Sequence, residues 1–235
     1  MGNPGGEDNY ALARNLGVTL RIDLLRQAAI NLMGAAQSAA QTNGAAYQMG
    51  IFTFDTGFNT IGALTSNLSF AATEANSISL LEVYSNNFLT STKNNSDEDT
   101  NYDNAMTSVN KLMPLPGLGT NAKNDTPQEV LFFVTDGVED ELVSGSRHQS
   151  VMDPAQCTTI KNRGIRIAVL YTVYLPLPTN SWYNTYIKPI QSNIAPSLQS
   201  CASPGLFYQV QTGGDISAAL IGLFQLVVQT AYLSK

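Results

Sequence analysis

"EVLFFVTDGVEDE", residues 129–141, is the stretch on which the fold turns. Its first half is a short continuous apolar run, the composition of a strand buried on both faces of a parallel sheet. Its second half drops at once into Thr135-Asp136-Gly137, a polar turn with a glycine to swing the chain away. In an open α/β sheet, ligands gather beyond the carboxyl ends of the strands, so the Asp136 carboxylate is expected at that crevice.

Working outward, the same alternation recurs. Ala105, Met106, Val109, Leu112 and Met113 mark a helix ahead of this strand, stopped by Pro114 and Pro116. A helix through Cys157, Ile160 and Lys161 follows it and closes at Gly164, and "IRIAVLYTVYL" then supplies a second long buried strand. "SWYNTYIKPIQSNIAPSLQSCA" reads as mixed helix and loop and "LFYQV" as the last strand. Residues 215–234 read as a terminal helix with Asp215 as its N-cap. Nearer the start, Ile22, Leu25, Ala29, Leu32 and Ala36 mark a helix ending in "TNGAA", and "YQMGIFTFDT" reads as a strand. "FNTIGALTSNLSFA" is expected as an edge strand or hairpin partner, and "SISLLEVYSNNFLTSTKNNSDED" as a short helix decaying into a loop. The order gives an α/β fold, a doubly wound, mainly parallel sheet with helices on both faces, in one domain over residues 1–235.

Composition limits the partners. A formal charge of −6 leaves no basic stripe to neutralise phosphates, which argues against nucleic acid. The most apolar segment, at the C-terminal end, is interrupted by Gln225 and Gln229 and repeats at helical spacing, so it reads as a core helix and not as a membrane span.

Thr100, inside "SDEDTNYDNAM", is expected at the start of the helix preceding the 129–134 strand, at the same end of the sheet as Asp136. A hydroxyl and a carboxylate meeting there are hard oxygen ligands of the kind Mg²⁺ or Mn²⁺ prefers. Singly, Thr100 or Asp99 reads as a helix cap and Asp136 as a turn-former. Glu139, Asp140 and Glu141 read as solvated loop acids, and His148 as a loop histidine in "SGSRHQS". "GLGTNA" at 117–122 has the letters of a dinucleotide fingerprint but precedes a strand, the wrong geometry. Trp182, Tyr183 and Tyr186 read either as a partner-facing patch or as cover for the core edge. Cys157 and Cys201 are an even pair that an oxidising compartment permits to bond. A helix start and a strand approach tend, however, to lie at opposite ends of such a sheet, and the residues alone leave a bridge and free thiols both open.

"EVLFFVTDGVEDE" resembles the strand and Thr-Asp-Gly turn of von Willebrand factor type A domains, and "DTNYDNAM" resembles their threonine loop. The closer resemblance, carried by "YALARNLGVTLRIDLLRQAA", "GIRIAVLYTVYLP", "LQSCASPGLFYQV" and "DISAAL", is to the TadG-like proteins of bacterial tight-adherence (Flp-type) pilus systems. The resemblance implies a metal-ion-dependent adhesion site with Thr100 and Asp136 as two ligands. The family's Asp-x-Ser-x-Ser motif, often followed by Met-Gly, has no match in a chain that begins Met1-Gly2. The expectation is therefore that the remaining ligands and the central first strand lie upstream of Met1, with a membrane anchor beyond them. The chain as it stands is then expected to bind the cation weakly or not at all and to expose two strand edges.

The expected function is a non-enzymatic protein-binding module of a pilus assembly or adhesion protein, on the periplasmic or extracellular side of the cell envelope. Its divalent cation would engage an acidic residue of a protein partner. A metal-independent scaffold of the pilus machinery is the alternative. A metal-dependent hydrolase is a distant third, since no general base stands beside the crevice.

Overall fold

The computed structural model describes residues 9–80, 100–120, 123–144 and 146–233. The chain divides into two compact units, Met1–Asn101 with Asp140–His148, and Tyr102–Glu139 with Gln149–Lys235.

In the first unit, α1 (Asn9–Asn15) leads into the long helix α2 (Arg21–Asn43). Asp23 in its first turn accepts the Leu20 N–H at 2.9 Å, so a helix-start donor finds a partner in a carboxylate that the dipole also favours. Arg14 and Arg26 reach the same carboxylate at 2.7 and 2.9 Å, and with the Leu20 bond they hold Asp23 below the usual carboxylate range. Gly44 ends the helix at φ 69°, a left-handed position that suits glycine. β1 (Met49–Phe54) and β2 (Phe58–Thr65) form an antiparallel hairpin with Phe52 and Phe58 stacked, and α3 (Leu68–Ala75) follows, capped by Asn67. Met33, Ile51, Ala71, Ala75 and Ile78 make this unit's core.

The hairpin reading of 58–65 holds, but the helix starts at Leu68, well ahead of the "SISLLEV" segment. Residues 77–80 are not helical, and the expectation for 81–99 lies outside the described residues. Asn67 offered the signal, since its side chain accepts the Phe70 N–H at 3.0 Å.

The second unit is built on a parallel sheet. α4 (Tyr102–Leu112) precedes β3 (Val130–Thr135), α5 (Pro154–Lys161) precedes β6 (Arg166–Thr172), and α6 (Gln191–Cys201) precedes β7 (Phe207–Val210). The strand order is β3-β6-β7, all parallel, with Val130 opposite Arg166 and Val169 opposite Phe207. Six of the seven residues of β6 are buried, as its central place demands, and each large aliphatic there contributes about 2 kcal/mol of burial. α7 (Ile216–Leu233) packs Val227 onto Ala168 and Leu206, with Asp215 accepting the Ala218 N–H at 2.9 Å as expected of its N-cap. This is the α/β, parallel-sheet architecture expected. A single π-helical turn, Tyr183–Ile187, stands between β6 and α6.

The segment after Asp136 is not the solvated loop expected. It is a hairpin, β4 (Glu139–Val143) with β5 (Ser146–Ser150), in which Glu139 and Asp140 are each only 5% exposed. His148 is exposed on its second strand. The cysteines are joined: Cys157 and Cys201 are disulfide-bonded with Cα atoms 5.1 Å apart. The opposite-ends argument fails because Cys201 closes α6 and does not stand at the approach to β7, and α6 lies along α5. Lys161 Nζ donates to the Ser200 carbonyl at 2.8 Å beside the bridge.

Candidate functional site

Asp136 comes immediately after β3 and is exposed, whereas its neighbours Thr135 and Gly137 are buried. The turn is held from below. Thr135 Oγ1 accepts the Gly137 N–H at 3.0 Å and meets the Tyr102 hydroxyl at 2.5 Å, while the Thr135 carbonyl accepts from Thr172 Oγ1 of β6 at 3.3 Å. Gly137 sits at φ +94°, and a Cβ there would stand 2.2 Å from Ile194 Cγ2 and 3.0 Å from Tyr171 Cε2. Glycine is required on both counts: the left-handed backbone and the space.

Tyr102 opens α4 fully buried, its ring edge-on to Phe133 with centroids 5.5 Å apart. Burial, and next the Asp136 charge, push its hydroxyl well above the ordinary tyrosine range. The phenol therefore stays protonated and available for the Thr135 bond. The Tyr102 N–H, one of the orphan donors of the helix start, goes to Glu139 Oε1 at 3.0 Å, and Glu139 Oε2 accepts from Ser150 Oγ at 2.9 Å. A carboxylate from the hairpin thus caps α4, in the place where Thr100 or Asp99 was the natural candidate from the sequence. Asp99 lies outside the described residues.

Thr100 belongs to the first unit. Its backbone forms an isolated antiparallel bridge with Asp140, N–H to carbonyl both ways at 3.0 and 2.8 Å. Asn101 N–H donates to the Asp55 carbonyl at 2.9 Å, just beyond β1. Asp140 is in turn held by Arg147, whose Nε lies 2.8 and 3.0 Å from the two carboxylate oxygens and whose Nη2 bonds to Oδ2. Thr100 is therefore a strand-like residue two places before α4, half-buried and fixed by its backbone.

The exposed Asp136 carboxylate is by itself a hard oxygen donor of the kind that suits Mg²⁺ or Mn²⁺. Among the described residues, no group of three or more His, Cys, Asp or Glu side chains is arranged to hold a metal ion. Reading the sequence missed Tyr102 and Glu139 as the frame of the Asp136 turn. The capping partner of α4 comes from 37 residues away, beyond the reach of any local signal.

No protein-family model matches the chain, and no curated protein matches it in sequence. Solved structures do resemble it. The vWF domain of the type V pili tip protein Mfa5 from Porphyromonas gingivalis aligns with a TM-score of 0.57 at 7% identity over 90% of this chain and 89% of that one. The pilus adhesin SpaC from Lactobacillus rhamnosus GG, in its open conformation, aligns with a TM-score of 0.57 at 12% identity over 89% of this chain. The match spans only 28% of the adhesin's length. The protein BatB from Bacteroides thetaiotaomicron aligns with a TM-score of 0.53 at 14% identity over 89% of each chain. Likeness at such identities is likeness of fold, and the fold of this chain is von Willebrand factor A-like.

Proposed function

We propose that this chain is a non-enzymatic protein-binding module of a bacterial pilus system, TadG-like in kind, working on the outer side of the cytoplasmic membrane. The observation that carries the reading is the exposed Asp136 carboxylate at the carboxyl end of β3, on a turn immobilised by Thr135, Tyr102 and Gly137. A carboxylate presented so rigidly suits a divalent cation, with Thr100 as a second oxygen ligand and the rest of the shell supplied by groups other than these two. Such a cation keeps an open position for an acidic residue of a partner protein. The likeness to a pilus adhesin and a pilus tip domain supports the pilus setting. The buried disulfide supports an oxidising compartment. No described helix is long and apolar enough to cross a membrane, so anchoring in the envelope belongs to the proposal and not to these residues.

A metal-free scaffold in the same machinery is the second reading, favoured by the Asp136 turn being already held by hydrogen bonds and packing of Thr135, Tyr102 and Gly137. Affinity capture separates the two: the immobilised chain is offered pilus and envelope proteins of its source organism in Mn²⁺ or in chelator. With Mn²⁺ in large excess, as a weak site requires, the first reading expects specific retention that chelator, Asp136→Ala and Thr100→Ala each reduce by at least about tenfold. Retention indifferent to all three makes the scaffold the correct account.

A further inference from the structure

The first unit holds a hollow of about 450 Å³ between the end of α2, the loop that follows it and the start of α3. Pockets of roughly 300–1,000 Å³ are the size that small ligands occupy. Its polar wall is Gln37 and Gln41 of α2, Ser66 just beyond β2, and Asn67 and Ser69 at the opening of α3, and its aromatic wall is Tyr47. The rest of the lining is alanine and Leu68.

The two helices that flank the hollow share one core through Met33, Ala71 and Ala75. Gln37 and Gln41 stand four residues apart, hence on one face of α2. Beyond Gly44, Asn43 clamps the loop: its Oδ1 accepts the Ala45 N–H at 2.9 Å and its Nδ2 donates to the Tyr47 hydroxyl at 2.8 Å. The half-buried Tyr47 ring is thus held at its polar tip, and little freedom is left for a ligand to remove.

What this frame presents is hydrogen-bonding capacity without charge. Among the described residues, the side chains of Gln37, Gln41, Ser66 and Ser69 are exposed and hydrogen-bonded to no other protein group. Asn67 commits its Oδ1 to the Phe70 N–H, which leaves its amide nitrogen to donate. No residue between Arg26 and Asp55, or between Asp55 and Glu74, carries a formal charge, so the lining offers no charged partner to a phosphate, a carboxylate or a metal ion.

Amides and hydroxyls, each both donor and acceptor, match a ligand whose groups are the same, the vicinal hydroxyls of a sugar ring. The C–H face of such a ring covers a tyrosine ring, apolar in its body and polar at its tip. A peptide is the other uncharged ligand rich in donors and acceptors, and it docks by main-chain bonds along a strand. Here the N–H groups of Asn67, Leu68, Phe70 and Ala71 are already taken, by Thr65 Oγ1, the Ser66 carbonyl, Asn67 Oδ1 and the Asn67 carbonyl. Recognition therefore falls to side chains. We propose that this hollow binds an uncharged saccharide, with Tyr47 under the ring and Gln37, Gln41 and Ser69 on its hydroxyls. The site uses no cation and does not rest on the Asp136 reading.

Amide spectra of the ¹⁵N-labelled full chain, kept in chelator, are titrated in turn with maltose, lactose, cellobiose and N,N′-diacetylchitobiose to high millimolar concentration. The expected result is a saturable shift, with at least one of these sugars, confined to amides of residues 37–47 and 66–69. Gln37→Ala with Gln41→Ala weakens that binding by at least about tenfold while the melting temperature stays close to the parent's, since both side chains are exposed. Tyr47→Leu, which keeps apolar bulk but loses the flat ring, weakens it as well. Sugars that leave these amides unmoved, shifts that lie elsewhere, or binding that the glutamine pair does not weaken overturn the proposal. Triglycine shifting the same amides where no sugar does assigns the hollow to a peptide and overturns it equally.

Discussion

Gly137 and Thr135 show how much of the site rests on single atoms. The Asp136 carboxylate is exposed, but the backbone that aims it is fixed by a buried hydroxyl and by a glycine whose missing Cβ leaves room for Ile194. Gly137→Ala is expected to destabilise the protein by about 2–4 kcal/mol, combining the left-handed backbone with a clash against packed side chains, read as a lowered urea midpoint at constant m. Asp125 is a second residue-scale case. Its carboxylate accepts from the Thr120 hydroxyl and from the Thr120, Leu118 and Thr126 N–H groups, which lowers its pKa to about 2. A depressed carboxylate pKa contributes stability above the unfolded value, and the contribution fades as pH falls through the folded one. The hydrogen bonds that Leu118, Thr120 and Thr126 make to Asp125 are therefore expected to hold down to about pH 4 and to weaken toward pH 2, with the Asp125 side-chain carbonyl resonance titrating near pH 2. Titration of that resonance at an ordinary carboxylate pKa contradicts the loop clamp.

At the scale of elements, the joint between α5 and α6 matters most. Both cysteines are fully buried, and the bridge closes a span of 44 residues that contains the whole of β6 and the π-helical turn. Replacing both with serine is expected to cost about 3–4 kcal/mol on loop-closure grounds, measured by denaturant unfolding against the oxidised parent. A loss under about 1 kcal/mol would show that helix packing alone holds the pair. The hairpin β4-β5 is the other instructive element. Its sequence, Glu139-Asp140-Glu141 with Arg147 and His148, carries the polarity of a loop, yet two of its acids are buried. Glu139 escapes the charge-burial cost by capping α4 and accepting from Ser150, and Asp140 by its Arg147 partner.

At the scale of the molecule, what was legible in the sequence followed from periodicity. The runs at 129–134, 165–175 and 206–210 announced a parallel sheet, and Gly44, Gly164 and Asp215 announced helix ends, all of which the structure bears out, with the second strand stopping at Thr172. Illegible were two features fixed by distant partners, the Glu139 cap on Tyr102 and the α5–α6 contact that brings Cys157 to Cys201, and with them the local Asp140–Arg147 pair, hidden in a hairpin whose polarity reads as a loop. No propensity or spacing rule reports which side chain will arrive from 37 residues away. The position of Asp136, by contrast, was readable because a strand end followed by Thr-Asp-Gly fixes it locally. The central proposal is that this residue holds a divalent cation, and amide spectra of the labelled chain titrated with Mn²⁺ test it even for a weak site. The account predicts paramagnetic broadening centred on the amides of Asp136, Gly137 and Thr100, reversed by chelator and absent in Asp136→Ala. Broadening that lies elsewhere, or that survives Asp136→Ala unchanged, would contradict it.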